Sequence, residues 1–432
     1  MRIRRVIVLV ALVLLLALIF LPRRGPVIEP GSILVVELSG PFVETTEPSV
    51  FGRLLGAQRR PFVALLSELK KAQRDERIEG VLLRIRRLQM GWGMAEELRG
   101  AIRELQDAGT PTLAYLETGA LGANLEYYIA SAAGRLLISP ASSSPITGLG
   151  MQFLFLGGLW EKMGAGFEVI GSGEYKSAAD TLGGTKMTEA HREMATSLLD
   201  STFDQFVAGI AQGRGLEPEV VRQLVDRAPV RPEELREAGL VDAVAVYDQA
   251  VEKLGGGPVV KSADYASVDP ESIGWEPVAR HALIYGSGMV VVGSGTNTPG
   301  GSPVMTSDTV GQALIDAAED PEISAIIFRV DSPGGSPLAA DIVWRAAERA
   351  KEKGKPLIAS VSNMAASGGY YALAGADRIV APAGSLVGSI GVFVMRPVIA
   401  GLLEKLGIGV ESLTRGAFAD VLQSSQPLSE QG

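Results

Sequence analysis

Residues 355–374 read Lys-Pro-Leu-Ile-Ala-Ser-Val-Ser-Asn-Met-Ala-Ala-Ser-Gly-Gly-Tyr-Tyr-Ala-Leu-Ala. The apolar run up to Val361 has the character of a strand, and Tyr370-Tyr-Ala-Leu-Ala that of a helix. Ser367, beside Gly368 and Gly369, stands where one gives way to the other. Free N–H groups at a helix start can hold an anion, so the position suits a serine nucleophile. It also suits a serine that only caps the helix. The rest of the chain decides between the two.

Working outward, a second strand, Ala325-Ile-Ile-Phe-Arg-Val, leads into Asp331-Ser-Pro-Gly-Gly. In the first half, strands at Ile33–Leu38, Gly80–Ile85 and Thr110–Leu116 alternate with helices at Phe62–Ala72, Ala95–Ala108 and Leu125–Ala132. From Glu189 to Leu254 the pattern is mainly helical. Alternation of this kind predicts an α/β fold with largely parallel strands. The two halves also repeat each other. Leu83-Arg-Ile aligns with Phe328-Arg-Val and Gly109-Thr-Pro with Gly354-Lys-Pro, both at an offset of 245. Tyr127-Tyr128 aligns with Tyr370-Tyr371, and Glu161-Lys162 with Glu404-Lys405, at an offset of 243. The expected domains are therefore 1–28 (a stub and membrane segment), 29–254 (first repeat), 255–276 (a Gly/Pro/Ser-rich linker) and 277–432 (second repeat).

Composition narrows the chemistry. With no cysteine among 432 residues, thiolate catalysis and cysteine-ligated metals are excluded. Only His191 and His281 occur, neither in a metal-ligand pattern, so no metal is expected and a hydrolase base should not be histidine. His191 lies in the polar run Thr188–Met194 and reads as a solvated helix face; His281 reads as a strand-entry residue. A net charge of −9 without a basic, aromatic-rich cluster gives no reason to expect nucleic acid as a partner. Val6–Leu21 is continuously apolar, follows Arg2, Arg4 and Arg5, and has no small-residue cleavage site after it. It reads as an uncleaved signal anchor, in preference to a removed signal peptide, with an exported body.

The copies are most informative where they differ. At the matching offset Ser367 becomes Asn124, and Gly334-Gly335 become Gln89 and Met90. In the other direction, Lys176 becomes Ala419. The second copy holds a serine and two glycine turns; the first holds a lysine. A serine hydroxyl needs a base, and lysine is an attested one if a desolvated site lowers its pKa. The small residues around Lys176 permit that. Backbone N–H groups of Gly368 and of Gly334 or Gly335 are the candidate oxyanion donors, and Ser389 is a candidate second hydroxyl for orienting the amine.

Met364-Ala-Ala-Ser-Gly-Gly-Tyr-Tyr, Asp331-Ser-Pro-Gly-Gly-Ser, Gly388-Ser-Ile-Gly-Val-Phe and Tyr175-Lys-Ser-Ala together resemble the signal peptide peptidase A (protease IV) family in its long, duplicated form. The resemblance implies tandem domains of the Clp-protease/crotonase type, built of repeated β-β-α turns. It further implies a serine endopeptidase on the inner membrane, single-pass, its body on the periplasmic side, degrading released signal peptides without a cofactor. Ser367 and Lys176 map onto the family's dyad, and family members of this form are homotetramers. Relative to the family, the second copy reads as truncated after Pro427-Leu-Ser-Glu. Two other readings remain: a crotonase-like acyl-CoA enzyme, which would also use glycine N–H groups, and an inactive membrane-anchored scaffold.

Overall fold

The structure is a computed structural model. It describes residues 27–44, 61–119, 122–143, 146–229, 231–298, 301–416, 418–419, 421 and 423–428. The expected anchor at Val6–Leu21 lies outside the described residues; among those described, no helix is long and apolar enough to cross a membrane.

The first half supplies β1 (Ser32–Pro41), β2 (Ile78–Gln89), β3 (Thr112–Leu116), β4 (Arg135–Ile138), β5 (Gly166–Gly171), β6 (Ala243–Val244) and β7 (Val259–Lys261). All but β5 form one parallel sheet in the order β6-β4-β3-β2-β1-β7. Ile33 to Val36 are all buried, as expected of a strand covered on both faces. On one face Leu34, Val36 and Leu83 share a core with Leu65, Leu98 and Ile102 of the helices Phe62–Ala72 and Trp92–Asp107. On the other, Val35, Leu82 and Leu113 meet Ala250 and Leu254.

The second half supplies β8 (Arg280–Ser287), β9 (Met289–Val291), β10 (Val304–Thr306), β11 (Ile323–Ser332), β12 (Leu357–Ala366), β13 (Arg378–Val380), β14 (Leu386–Gly388) and β15 (Phe393–Val398). Its sheet runs β13-β12-β11-β8, with β14 also on β12. The register repeats at the sequence offset. Val81–Ile85 face Thr112–Leu116, and 245 residues on, Ile326–Val330 face Leu357–Val361. The helices Trp92–Asp107 and Pro337–Glu352 keep the same spacing. Cover differs between the halves: Leu283 and Ile358 are 38% and 36% exposed on the face where Val35 and Leu113 are buried.

Two sequence expectations change here. The 255–276 segment is built into the first half rather than bridging freely, because β7 joins β1 and buried Tyr265 enters the first core. Lys71 Nζ secures it, donating to the carbonyls of Tyr265, Ala266 and Val268 at 3.3, 2.9 and 3.0 Å. His191 is 2% exposed, not solvated. It packs edge-on to Phe153, with Nδ1 3.4 Å from Asp180 Oδ2. The polar run around it concealed aromatic partners that lie nearly forty residues away. His281 is exposed near the start of β8, as read.

The halves are locked through Arg329 on β11. Its guanidinium donates to Glu44 at 3.1 and 2.9 Å and to Glu97 at 2.6 and 2.8 Å, all first-half partners. Ser362 Oγ donates to the same Glu44. Arg329 and Glu44 are buried, so removing the cation strands a carboxylate out of water. Arg329→Met should therefore cost about 3–5 kcal/mol in denaturant unfolding, the range for breaking a buried pair. Arg345→Met, which breaks an exposed pair with Asp341 and an exposed contact with the Trp344 ring, should cost about 1 kcal/mol or less.

Candidate active site

Ser367 lies between β12 and the helix Gly368–Leu373. Its backbone is at φ 52° and ψ −119°, a conformation that costs a non-glycine residue about 1–3 kcal/mol. The surroundings enforce it. Ser367 N donates to Gly388 O at 2.9 Å, and Ser367 O accepts from Tyr371 N at 2.9 Å. Gly334 packs so closely that a Cβ there would lie 2.7 Å from both Ala366 O and Ser367 Cβ. The side chain makes no capping hydrogen bond, so the helix-cap reading of Ser367 fails. A strained serine at a strand-to-helix turn, its hydroxyl without a hydrogen-bond partner among the described residues, is a geometry that presents an oxygen to a ligand.

The two glycines before it divide their work. Gly334 N donates to Ser332 Oγ at 3.1 Å, and Gly334 O accepts from Val290 N at 2.9 Å. Gly334 is therefore removed from the candidate donors, since its N–H is already spent. Gly335 N and Gly368 N have no acceptor among the described residues. They sit together: a Cβ on Gly368 would lie 3.2 Å from Gly335 N. Both border a cavity of about 290 Å³ that also holds Ser367. Its walls are Pro337, Tyr370, Tyr371, Ile390 and Val392. The wall residues beyond Ser389 were not identifiable from sequence, because they lie in an irregular segment without apolar periodicity.

Lys176 arrives from the other half. β5 pairs antiparallel with β15, Gly171 opposite Phe393, and Ser172 N donates to Val392 O at 3.0 Å. Five residues past β5, Lys176 Nζ donates to Ser389 Oγ at 2.9 Å and to Ser389 O. Ser389 itself has φ 50°. Lys176 forms no ion pair among the described residues, and burial holds its pKa below the ordinary lysine value. Tyr175 Oη donates to Glu193 Oε2 at 2.9 Å, fixing the adjacent position. Ser367 and Lys176 thus meet the same short segment, at Gly388 and Ser389, within one chain. They do not hydrogen-bond each other.

At the matching place in the first half, Asn124 uses its side chain on the backbone. Its Oδ1 accepts from Thr147 N at 2.9 Å and its Nδ2 donates to Gly148 O at 2.8 Å. Ile146, aligned with Ser389, is fully buried.

The family model for peptidase family S49 matches residues 104–258 and 349–432. The serine protease SPPA, chloroplastic, of Arabidopsis thaliana is 33% identical over 409 residues, covering 92% of this chain and 59% of its own length. Protease 4 of Salmonella typhi is 27% identical over 422 residues, covering 90% and 66%. Protease 4 of Haemophilus influenzae is 26% identical over 371 residues, covering 82% and 59%. The chain spans between 59% and 66% of the length of these relatives.

Proposed function

Given that this chain belongs to peptidase family S49, we propose that it is a serine endopeptidase working through Ser367 and Lys176. The observation that carries this is the Ser367 hydroxyl, without a capping bond, lining an apolar cavity together with the Gly335 and Gly368 N–H groups, which have no acceptor among the described residues. Ser367 Oγ attacks the scissile carbonyl carbon, and its proton passes to neutral Lys176 Nζ. The carbonyl oxygen becomes an anion and is held by Gly335 N–H and Gly368 N–H. The C–N bond then breaks as Lys176 returns the proton to the leaving amine. A water deprotonated by Lys176 hydrolyses the resulting ester and frees Ser367. Ser389 orients the amine between turnovers, and a rotation about the lysine side chain transfers Nζ from Ser389 to Ser367.

The apolar walls support apolar peptides, released signal peptides among them, as substrates. In the same reading Val6–Leu21 anchors the chain in the inner membrane with its body on the periplasmic side, and the working form is a homotetramer. A quenched peptide with leucine and alanine around the scissile bond should be cleaved, and a glutamate-rich peptide of equal length should resist. Equal rates would overturn the apolar-substrate assignment.

Gly368→Ala separates the donor pair from the fold. Gly368 has no positive φ, so alanine suits its backbone, but the new methyl would crowd Gly335 N. The expected result is a kcat lowered about 10²-fold, the effect of losing one oxyanion donor. The melting temperature should stay close to that of the unmodified chain.

A further inference from the structure

Beyond Val330↔Val361 the central strands of the second half fall out of step. β11 advances two residues to Ser332 while β12 advances four to Ala365. Ser362, Asn363 and Met364 are thus left opposite Asp331 alone. A bulge of this kind re-aims a strand, and the next residues here are Ala366 and Ser367. The first half has no counterpart: Arg86 stands where Asp331 does, and β2–β3 pairing stops at Ile85↔Leu116. The bulge belongs to the copy that carries the serine.

The Asp331 carboxylate fills it. Oδ2 accepts from Asn363 Nδ2 at 3.1 Å, and Oδ1 accepts from Met364 N at 3.1 Å. Asn363 Oδ1 in turn accepts from Met94 N, in the first half, at 3.1 Å. Asp331 O accepts from Gly288 N at 2.9 Å, and the chain continues through Ser332 and Pro333 to Gly334 and Gly335. One residue therefore joins the strand that leads into Ser367 to the turn that presents Gly335 N–H.

We propose that Asp331 is a positioning residue for peptide hydrolysis, setting the spacing between the Ser367 hydroxyl and the Gly335 and Gly368 N–H groups through its bonds to Asn363 and Met364. It touches no reacting atom. The proposal rests on the peptidase reading above. Burial pushes the Asp331 carboxyl above its ordinary range, and the bonds from Asn363 and Met364 work against that, so the side chain depends on both donors.

The reciprocal swap tests it. Asp331→Asn sets one amide N–H₂ against another, and Asn363 cannot turn over without abandoning Met94 N. Adding Asn363→Asp restores the 331–363 bond with donor and acceptor exchanged, and keeps an acceptor for each of Met364 N and Met94 N. Expected for Asp331→Asn is a kcat lowered about 10- to 100-fold with KM little changed, the scale of a misplaced reacting group. Deuterium exchange in the peptide spanning residues 362–371 should be faster, and the double variant should recover both properties. Unaltered kcat in Asp331→Asn with an active parent chain, unaltered exchange, or no recovery in the double variant would each overturn the proposal. Exchange is read without substrate, so a chain that cleaved no peptide would refute the peptidase reading and still test the clamp.

Discussion

Ser367→Ala is expected to lower the peptidase kcat roughly 10⁶-fold, the scale on which loss of a serine nucleophile is felt, while the chain stays folded. The Oγ caps nothing, so its removal strands no buried partner. Alanine inherits the strained backbone at φ 52°, and stability should barely move. Ser367→Gly extends the test. Glycine accepts a positive φ without Cβ conflict, so it should be as inactive as the alanine variant but more stable, by about 1 kcal/mol where strain relief outweighs chain entropy. Activity and stability moving in opposite directions mark a residue held in place for chemistry. Retained cleavage in Ser367→Ala, measured as kcat on the quenched peptide, would assign the nucleophile elsewhere.

Lys176→Met should lower kcat about 10²- to 10⁴-fold, the contribution of a positioned general base, and should also reshape the pH profile. The sign follows from the chemistry. A base works unprotonated, so the rate rises as Lys176 loses its proton. Burial favours that neutral form, which places the rising limb below the ordinary lysine value of 10.5. Lys176→Met should lose this limb and keep a low, flat rate. Lys176→Arg should stay inactive throughout, since a guanidinium does not give up its proton in this range. Ser389→Ala removes one of the amine's two acceptors, and should move the limb without abolishing it. A limb unchanged in Lys176→Met would assign the titration to another group.

Much of this was legible in the sequence because register and duplication are carried by the same residues. Leu83-Arg-Ile and Phe328-Arg-Val align at 245, and the strands that contain them pair at that same spacing. Ser367 and Lys176 stood out because each lacks its counterpart in the other copy. What stayed hidden depends on geometry that no local pattern encodes. Gly334 and Gly335 are equivalent on paper, and only the Ser332 hydroxyl bond to Gly334 N tells them apart. His191 is buried by Phe153 and Phe155, from a segment without helical spacing. The Asp331 clamp needs a strand bulge, visible only once β11 and β12 are paired. The Arg329–Glu44 lock joins residues 285 positions apart.

The central claim is that a serine in one half is activated by a lysine from the other. Its most direct test is the pH dependence of Ser367 labelling by a fluorophosphonate, followed by mass spectrometry of the intact chain and its peptides. Expected is a single adduct on the peptide that contains Ser367. Its rate should rise with pH through an inflection below 10.5 in the unmodified chain, and be slow and flat in Lys176→Met. Equal labelling of the two chains across the pH range, or an adduct on another residue, would contradict it.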